Sequence, residues 1–279
     1  MPPFITVDDP LDPRIAAYRD VRERDLVGRE GHFIAEGEVV LRVLLGGTSR
    51  HRPVSLLLAE KRVEGLAPLL ARLPGDVPVF TARQQVLDRI AGFPIHRGIL
   101  ALGRRAPMPP AGDLLAGTGR RSLVVALFGI GNHDNLGGIF RNAAAFGADA
   151  VLLDPTCCDP LYRKAIRVSV GATLLVPFAR LAPGTGSGTA SGAASGAGAV
   201  ALLARHGYAP VAFSPTGATP LAELGRPGRV AVLLGSEGPG LPPEVLARTH
   251  TVRIPMTAGF DSLNVATASG IALHHLAFR

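Results

Sequence analysis

The chain has 279 residues, 47% of them hydrophobic, and carries 29 Lys and Arg against 22 Asp and Glu, a net charge of +7. This length is too great for one average domain and suits two, each able to bury its own core. Lys61 and Lys164 are the only lysines, so the basic excess is arginine, whose planar guanidinium suits bidentate contact with phosphate; the excess reads equally as a match to a polyanionic partner or as the composition of an arginine-rich proteome.

Asp12-Pro13 reads as an N-cap followed by proline in the first turn, opening a helix to about Arg24 with Ile15, Tyr18 and Val21 at helical spacing. Asp8, Asp9, Asp12 and Arg14 interrupt any apolar run there, so no signal peptide is expected. No later stretch reaches membrane-spanning length, and a cytoplasmic location is expected. Elements then alternate as strand 32–35, helix 38–45, strand 54–58, helix 66–73, strand 77–80, helix 84–90 and strand 98–102, a small α/β sandwich. Proline, glycine and the pairs Arg104-Arg105 and Arg120-Arg121 mark a linker over 104–121, which separates domains 1–103 and 122–279. The run 122–128 is almost wholly apolar, as a strand covered on both faces of a parallel sheet requires. Strands over 150–153, 173–176, 210–213, 230–234 and 251–254 complete a doubly wound α/β pattern. The low-complexity segment 183–198 reads as a surface insertion without a role.

Three segments of the second half carry candidate chemistry. In Asn135-Leu-Gly-Gly-Ile-Phe-Arg141, the residues Leu136, Ile139, Phe140 and Ala143 form a buried helical stripe from which Arg141 projects away. By spacing alone, an N-capping Asn and a solvated Arg account for that pair. Leu234-Gly235-Ser236-Glu237-Gly238-Pro-Gly240 follows an apolar strand and precedes a helix, so its glycines let the backbone turn sharply and approach a ligand. It lacks the Lys-Ser/Thr of a Walker loop and does not fit Gly-x-Gly-x-x-Gly. Ile254-Pro-Met256 leads into Ser262-Leu263-Asn264-Val265-Ala266, where Ser262 can cap a helix to His275 that is apolar on more than one face. Between the first two segments, Arg163, Lys164 and Arg167 share one helical face, read either as a solvated face or as an RNA backbone contact. Cys157 and Cys158 are adjacent and read as small, partly buried thiols; no histidine spacing completes a metal site, and no metal is expected.

Together the three segments resemble, in order and spacing, the signature motifs of the SpoU/TrmH family of RNA ribose methyltransferases in the SPOUT superfamily. The resemblance covers roughly residues 119–279. It implies a C-terminal SPOUT α/β domain with a deep trefoil knot, preceded by a ribosomal-protein-like RNA-binding domain for which Phe33-Ile-Ala-Glu36-Gly-Glu38 is the recognisable stretch. It also implies S-adenosylmethionine as cofactor, RNA as substrate and a homodimer that completes the pocket. Residue by residue, it carries over catalytic roles for Asn135, Arg141, Glu237, Ser262 and Asn264, and cofactor contacts for Leu234, Gly235, Ser236, Gly238, Ile254, Met256, Leu263 and Ala266. Glu36 is expected to help cap the next helix. Arginine gives up its proton too reluctantly to serve readily as a base, so Arg141 is expected to stabilise a developing alkoxide electrostatically. Ribosomal RNA is the preferred substrate and tRNA the second. A non-catalytic RNA-binding or ribosome-assembly protein keeping the fold is the alternative, and a base or protein methyltransferase is disfavoured by the first motif.

Overall fold

Two sheets organise the chain, one in each of two units. The structure is a computed structural model that describes residues 3–19, 30–183 and 196–279. Its strands in chain order are β1 (Phe4–Thr6), β2 (His32–Glu36), β3 (Arg52–Ala59), β4 (Val79–Ala82), β5 (Ile99–Arg104), β6 (Ser122–Phe128), β7 (Ala150–Leu153), β8 (Phe178–Arg180), β9 (Ala209–Phe213), β10 (Thr219–Pro220), β11 (Arg229–Gly235) and β12 (His250–Arg253). The α-helices among the described residues are α1 (Glu38–Leu44), α2 (Val63–Leu70), α3 (Gln84–Ala91), α4 (Ala111–Ala116), α5 (His133–Ala145), α6 (Arg163–Val168), α7 (Gly196–Arg205), α8 (Pro243–Leu246) and α9 (Val265–Ala277). No described helix is long and apolar enough to cross a membrane.

The first unit comprises Met1–Pro107 and, from later in the chain, Pro160–Leu175. Its five-stranded sheet has the order β1-β4-β3-β5-β2, with β1, β4 and β3 parallel and β5 antiparallel to both neighbours. One face buries Ile34, Leu57, Phe80, Leu100 and Leu102 against Val86, Leu87 and Ile90 of α3 and against Ile15 and Tyr18. The expected first α-helix is instead a 3-10 turn over Pro13–Tyr18 that ends in extended backbone at Arg19; residues 20–24 of that expectation lie outside the described residues. Asp12 does accept from the Arg14 amide, but tertiary bonds fix the turn. The buried Tyr18 hydroxyl pairs with Ser55 Oγ at 2.7 Å and accepts the Leu102 amide at 3.2 Å, and burial pushes this phenol well above its usual range. A piece this short depends on packing rather than on propensity.

The second unit comprises Met108–Asp159 and Val176–Arg279. Its seven strands run β10-β12-β9-β11-β6-β7-β8, and every neighbouring pair is parallel. All seven residues of β6 are buried, because α4, α7 and α8 supply the core on one face while α5 and α9 cover the other. The stretch read as linker thus contains a helix whose Ala111 and Leu115 belong to this core. The strand expected over 173–176 is a 3-10 turn at Ala172–Leu174, entered through left-handed backbone at Val170 and Gly171, and the next strand starts only after Pro177. Most of the 183–198 insertion lies outside the described residues.

Candidate functional site

The strands of the second unit bring the three motifs to one edge. β11 pairs in register with β6, so Gly235 stands beside Phe128 and both strands end together. β9 ends at Phe213 on the other side of β11, and β12 runs parallel to β9, so their carboxyl ends share the edge where parallel sheets bind ligands.

The turn after β11 is a backbone fold with no room for side chains at its neck. A Cβ on Gly235 would lie 2.1 Å from the Gly240 carbonyl carbon, and Gly238 and Gly240 take φ of 85° and 72°. The Gly240 amide donates to the Ser236 carbonyl at 3.0 Å, closing the loop and carrying Glu237 at its tip.

Glu237 meets the other two motifs there. Asn264 is the N-cap of α9: its Oδ1 accepts the amides of Ala266 at 2.9 Å and Thr267 at 3.3 Å. That use of Oδ1 turns Nδ2 outward, where it donates to Asn135 Oδ1 at 2.8 Å and Glu237 Oε1 at 3.0 Å. Asn135 Nδ2 in turn donates to the same Glu237 Oε1 at 2.9 Å. Side chains 102 and 129 residues apart from Asn135 are thereby joined in one ring of hydrogen bonds. Two expected caps are corrected by this geometry. Asn132, not Asn135, caps α5 through the Asp134 amide, which leaves Asn135 inside the first turn, and Ser262 does not cap α9.

Beside the ring lies a cavity of about 380 Å³. Leu234, Gly235, Ser236, Glu237, Gly238, Ile254, Met256, Ser262 and Leu263 line it, as do Phe213, Ser214, Pro215, Asp261 and Val265, which sequence reading did not single out. The end of β9 could have been anticipated from its place next to β11 at the carboxyl edge. Ala266 does not line the cavity. It packs toward α5, where a Cβ on Gly138 would lie 2.8 Å from its own, and its carbonyl accepts Asn142 Nδ2 at 2.7 Å.

Arg141 sits six residues beyond Asn135, roughly 120° round the helix, and is exposed. It lines no part of the cavity and makes no hydrogen bond or ion pair among the described residues. Behind the site, burial pushes the thiols of both cysteines upward, Cys158 to about 12, so neither is a reactive thiolate near neutrality.

The basic cluster of α6 belongs to the first unit and is divided in use. Lys164 and Arg167 are exposed, whereas Arg163 lies 3.6 Å from the buried Glu36 carboxylate with its guanidinium 4.4 Å over the Phe93 ring. Glu36 therefore ties α6 to the end of β2. It does not cap α1, whose N-cap Gly37 makes no side-chain cap.

Residues 122–274 match the SpoU rRNA Methylase family. An uncharacterized tRNA/rRNA methyltransferase of Mycobacterium bovis is 39% identical over 277 residues, covering 96% of this chain and 90% of the relative. The 23S rRNA (guanosine-2′-O-)-methyltransferase RlmB of Acinetobacter baylyi is 30% identical over 206 residues, 72% of this chain and 78% of its own. Among solved structures, the AdoMet-bound rRNA methyltransferase of Sinorhizobium meliloti shares the fold with a TM-score of 0.76 over 98% of this chain and 97% of its own, at 24% identity.

Proposed function

The chain belongs to the SpoU rRNA Methylase family, and on that premise we propose that it transfers a methyl group from S-adenosylmethionine to a ribose 2′-hydroxyl of structured RNA, with ribosomal RNA preferred over tRNA. The observation that carries this reading is the Asn135–Glu237–Asn264 ring set against the cavity of the Gly235–Gly240 turn.

The cavity fits the donor in size and lining. Its volume falls within the range of about 300–1,000 Å³ usual for small-molecule sites. Leu234, Ile254, Met256, Leu263 and Val265 offer an apolar bed, while the close-folded glycines let backbone groups approach a ligand. When bound, S-adenosylmethionine supplies an electrophilic methyl on a sulfonium. The chain's residues supply position: the ring fixes the turn against the start of α9, and holding two reactants in place supplies much of the acceleration.

Among the described residues Arg141 makes no hydrogen bond or ion pair, and from its exposed place on α5 it can engage the ribose or adjacent phosphate of RNA and stabilise the developing alkoxide as a charged donor. Its place outside the cavity lining supports a pocket completed in a homodimer. The exposed Ile271 and Phe278 of the last helix and its C-cap supply an apolar face for that pairing. We take the packing of α9 against α5 and β11 to be part of the family's trefoil knot. RNA capture is assigned to the first unit, with the exposed Lys164 and Arg167 as backbone contacts and Arg163 as their anchor.

Mapping ribose methylation in total RNA from a deletion strain, then restoring it with the wild-type or the Arg141→Ala gene, tests the proposal. One or more 2′-O-methyl positions should vanish on deletion and return only with the wild-type gene. An unchanged ribose map would overturn the assignment.

A further inference from the structure

The cavity at the carboxyl edge reverses the charge of the molecule around it. On a chain of net charge +7, the ionisable side chains that line it among the described residues are two carboxylates, Glu237 and Asp261, and no described Lys, Arg or His lines it. Neither makes an ion pair among the described residues. Among the described residues Glu237 Oε1 accepts from the neutral side-chain amides of Asn135 and Asn264 alone, so hydrogen bonds hold this carboxylate in place without cancelling its charge. Asp261 is exposed in the segment between β12 and α9.

Building on the cofactor assignment above, we infer that Asp261 is a specificity-determining residue which, with Glu237, makes this pocket prefer a cationic methyl donor over its neutral product. S-adenosylmethionine carries one net positive charge through its sulfonium. When the methyl leaves for the ribose oxygen, the sulfur keeps the bonding electron pair, the hydroxyl proton goes to solvent, and the resulting thioether is uncharged. The two carboxylates lose their electrostatic attraction in the same event, which weakens the hold on the spent cofactor. For an exposed carboxylate facing a cation across a few ångströms, screening leaves an effect of roughly fivefold in affinity.

The test is calorimetric titration of the intact protein and of Asp261→Asn and Asp261→Glu with S-adenosylmethionine, S-adenosylhomocysteine and sinefungin, which carries an ammonium near the sulfonium position. Asp261→Asn should weaken the two cationic ligands about fivefold while the neutral product changes less than twofold, and Asp261→Glu should restore the preference. Equal weakening of all three ligands, or no weakening of any, would overturn the inference. Unfolding temperatures of the free variants separate a damaged pocket from a lost charge. An intact protein that binds none of the three refutes the cofactor assignment itself, an outcome distinct from binding all three without charge preference.

Discussion

The two units use their polar side chains in opposite ways. In the first, the sheet mixes parallel and antiparallel strands, and its polar pairs fasten elements together: Tyr18 to Ser55 and Leu102, and Glu36 to Arg163. In the second, every strand runs the same way, so loop after loop arrives at one edge, and the ring formed by Asn135, Glu237 and Asn264 sits beside a cavity. A parallel sheet concentrates distant residues at its carboxyl end, and here that concentration makes a site where the mixed sheet makes a frame.

The sharpest way to break this contrast is Gly235→Val. Its Cβ would meet the Gly240 backbone at 2.1 Å, and backbone at both sides of the clash cannot yield as a side-chain tip would. We expect loss of measurable cofactor binding by calorimetry together with a destabilisation of about 3 kcal/mol in urea unfolding. Next in size is a pair of changes at Asn264. Asn264→Ala removes both the cap and the donor, costing about 1 kcal/mol of stability and lowering turnover of RNA on the order of 100-fold. Asn264→Ser keeps a cap and should recover the stability without the turnover; joint recovery would reduce Asn264 to a helix cap. The smallest effect on function belongs to the frame. Arg163→Ala leaves Glu36 without its cation and should cost about 1–2 kcal/mol, with cofactor affinity unchanged; a weaker cofactor complex would show that the two units do not divide labour as described.

Much of the architecture is legible in the residues. The spans 122–128 and 150–153 coincide with β6 and β7, because a strand buried on both faces must be apolar throughout and stops where that run stops. Short pieces decided by distant partners are less legible. β1 and β10, three and two residues long, exist only because β4 and β12 offer edges, and the 13–18 turn answers to Tyr18 beneath the sheet. The linker reading failed at α4 because its prolines precede the helix rather than interrupt it, and the basic composition hides two apolar anchors, Ala111 and Leu115. At the site, the motifs name Asn135, Glu237 and Asn264, but their ring depends on strand order, which no local pattern encodes. The same holds for Phe213 and Asp261, which reach the cavity from segments with no signature of their own. Ala266 shows the converse: it sits within a recognised motif, yet its small side chain serves the close approach of α9 to α5.

The membership of Pro160–Leu175 in the first unit has a consequence for how the polypeptide is made. During synthesis, the early sheet can assemble once β5 has emerged, yet Glu36 must wait for Arg163, more than a hundred residues downstream, before its charge is answered. A gene fragment stopping at Pro107 would therefore yield a sheet lacking its last helix, and the amino-terminal half matures only after the other half has begun to form.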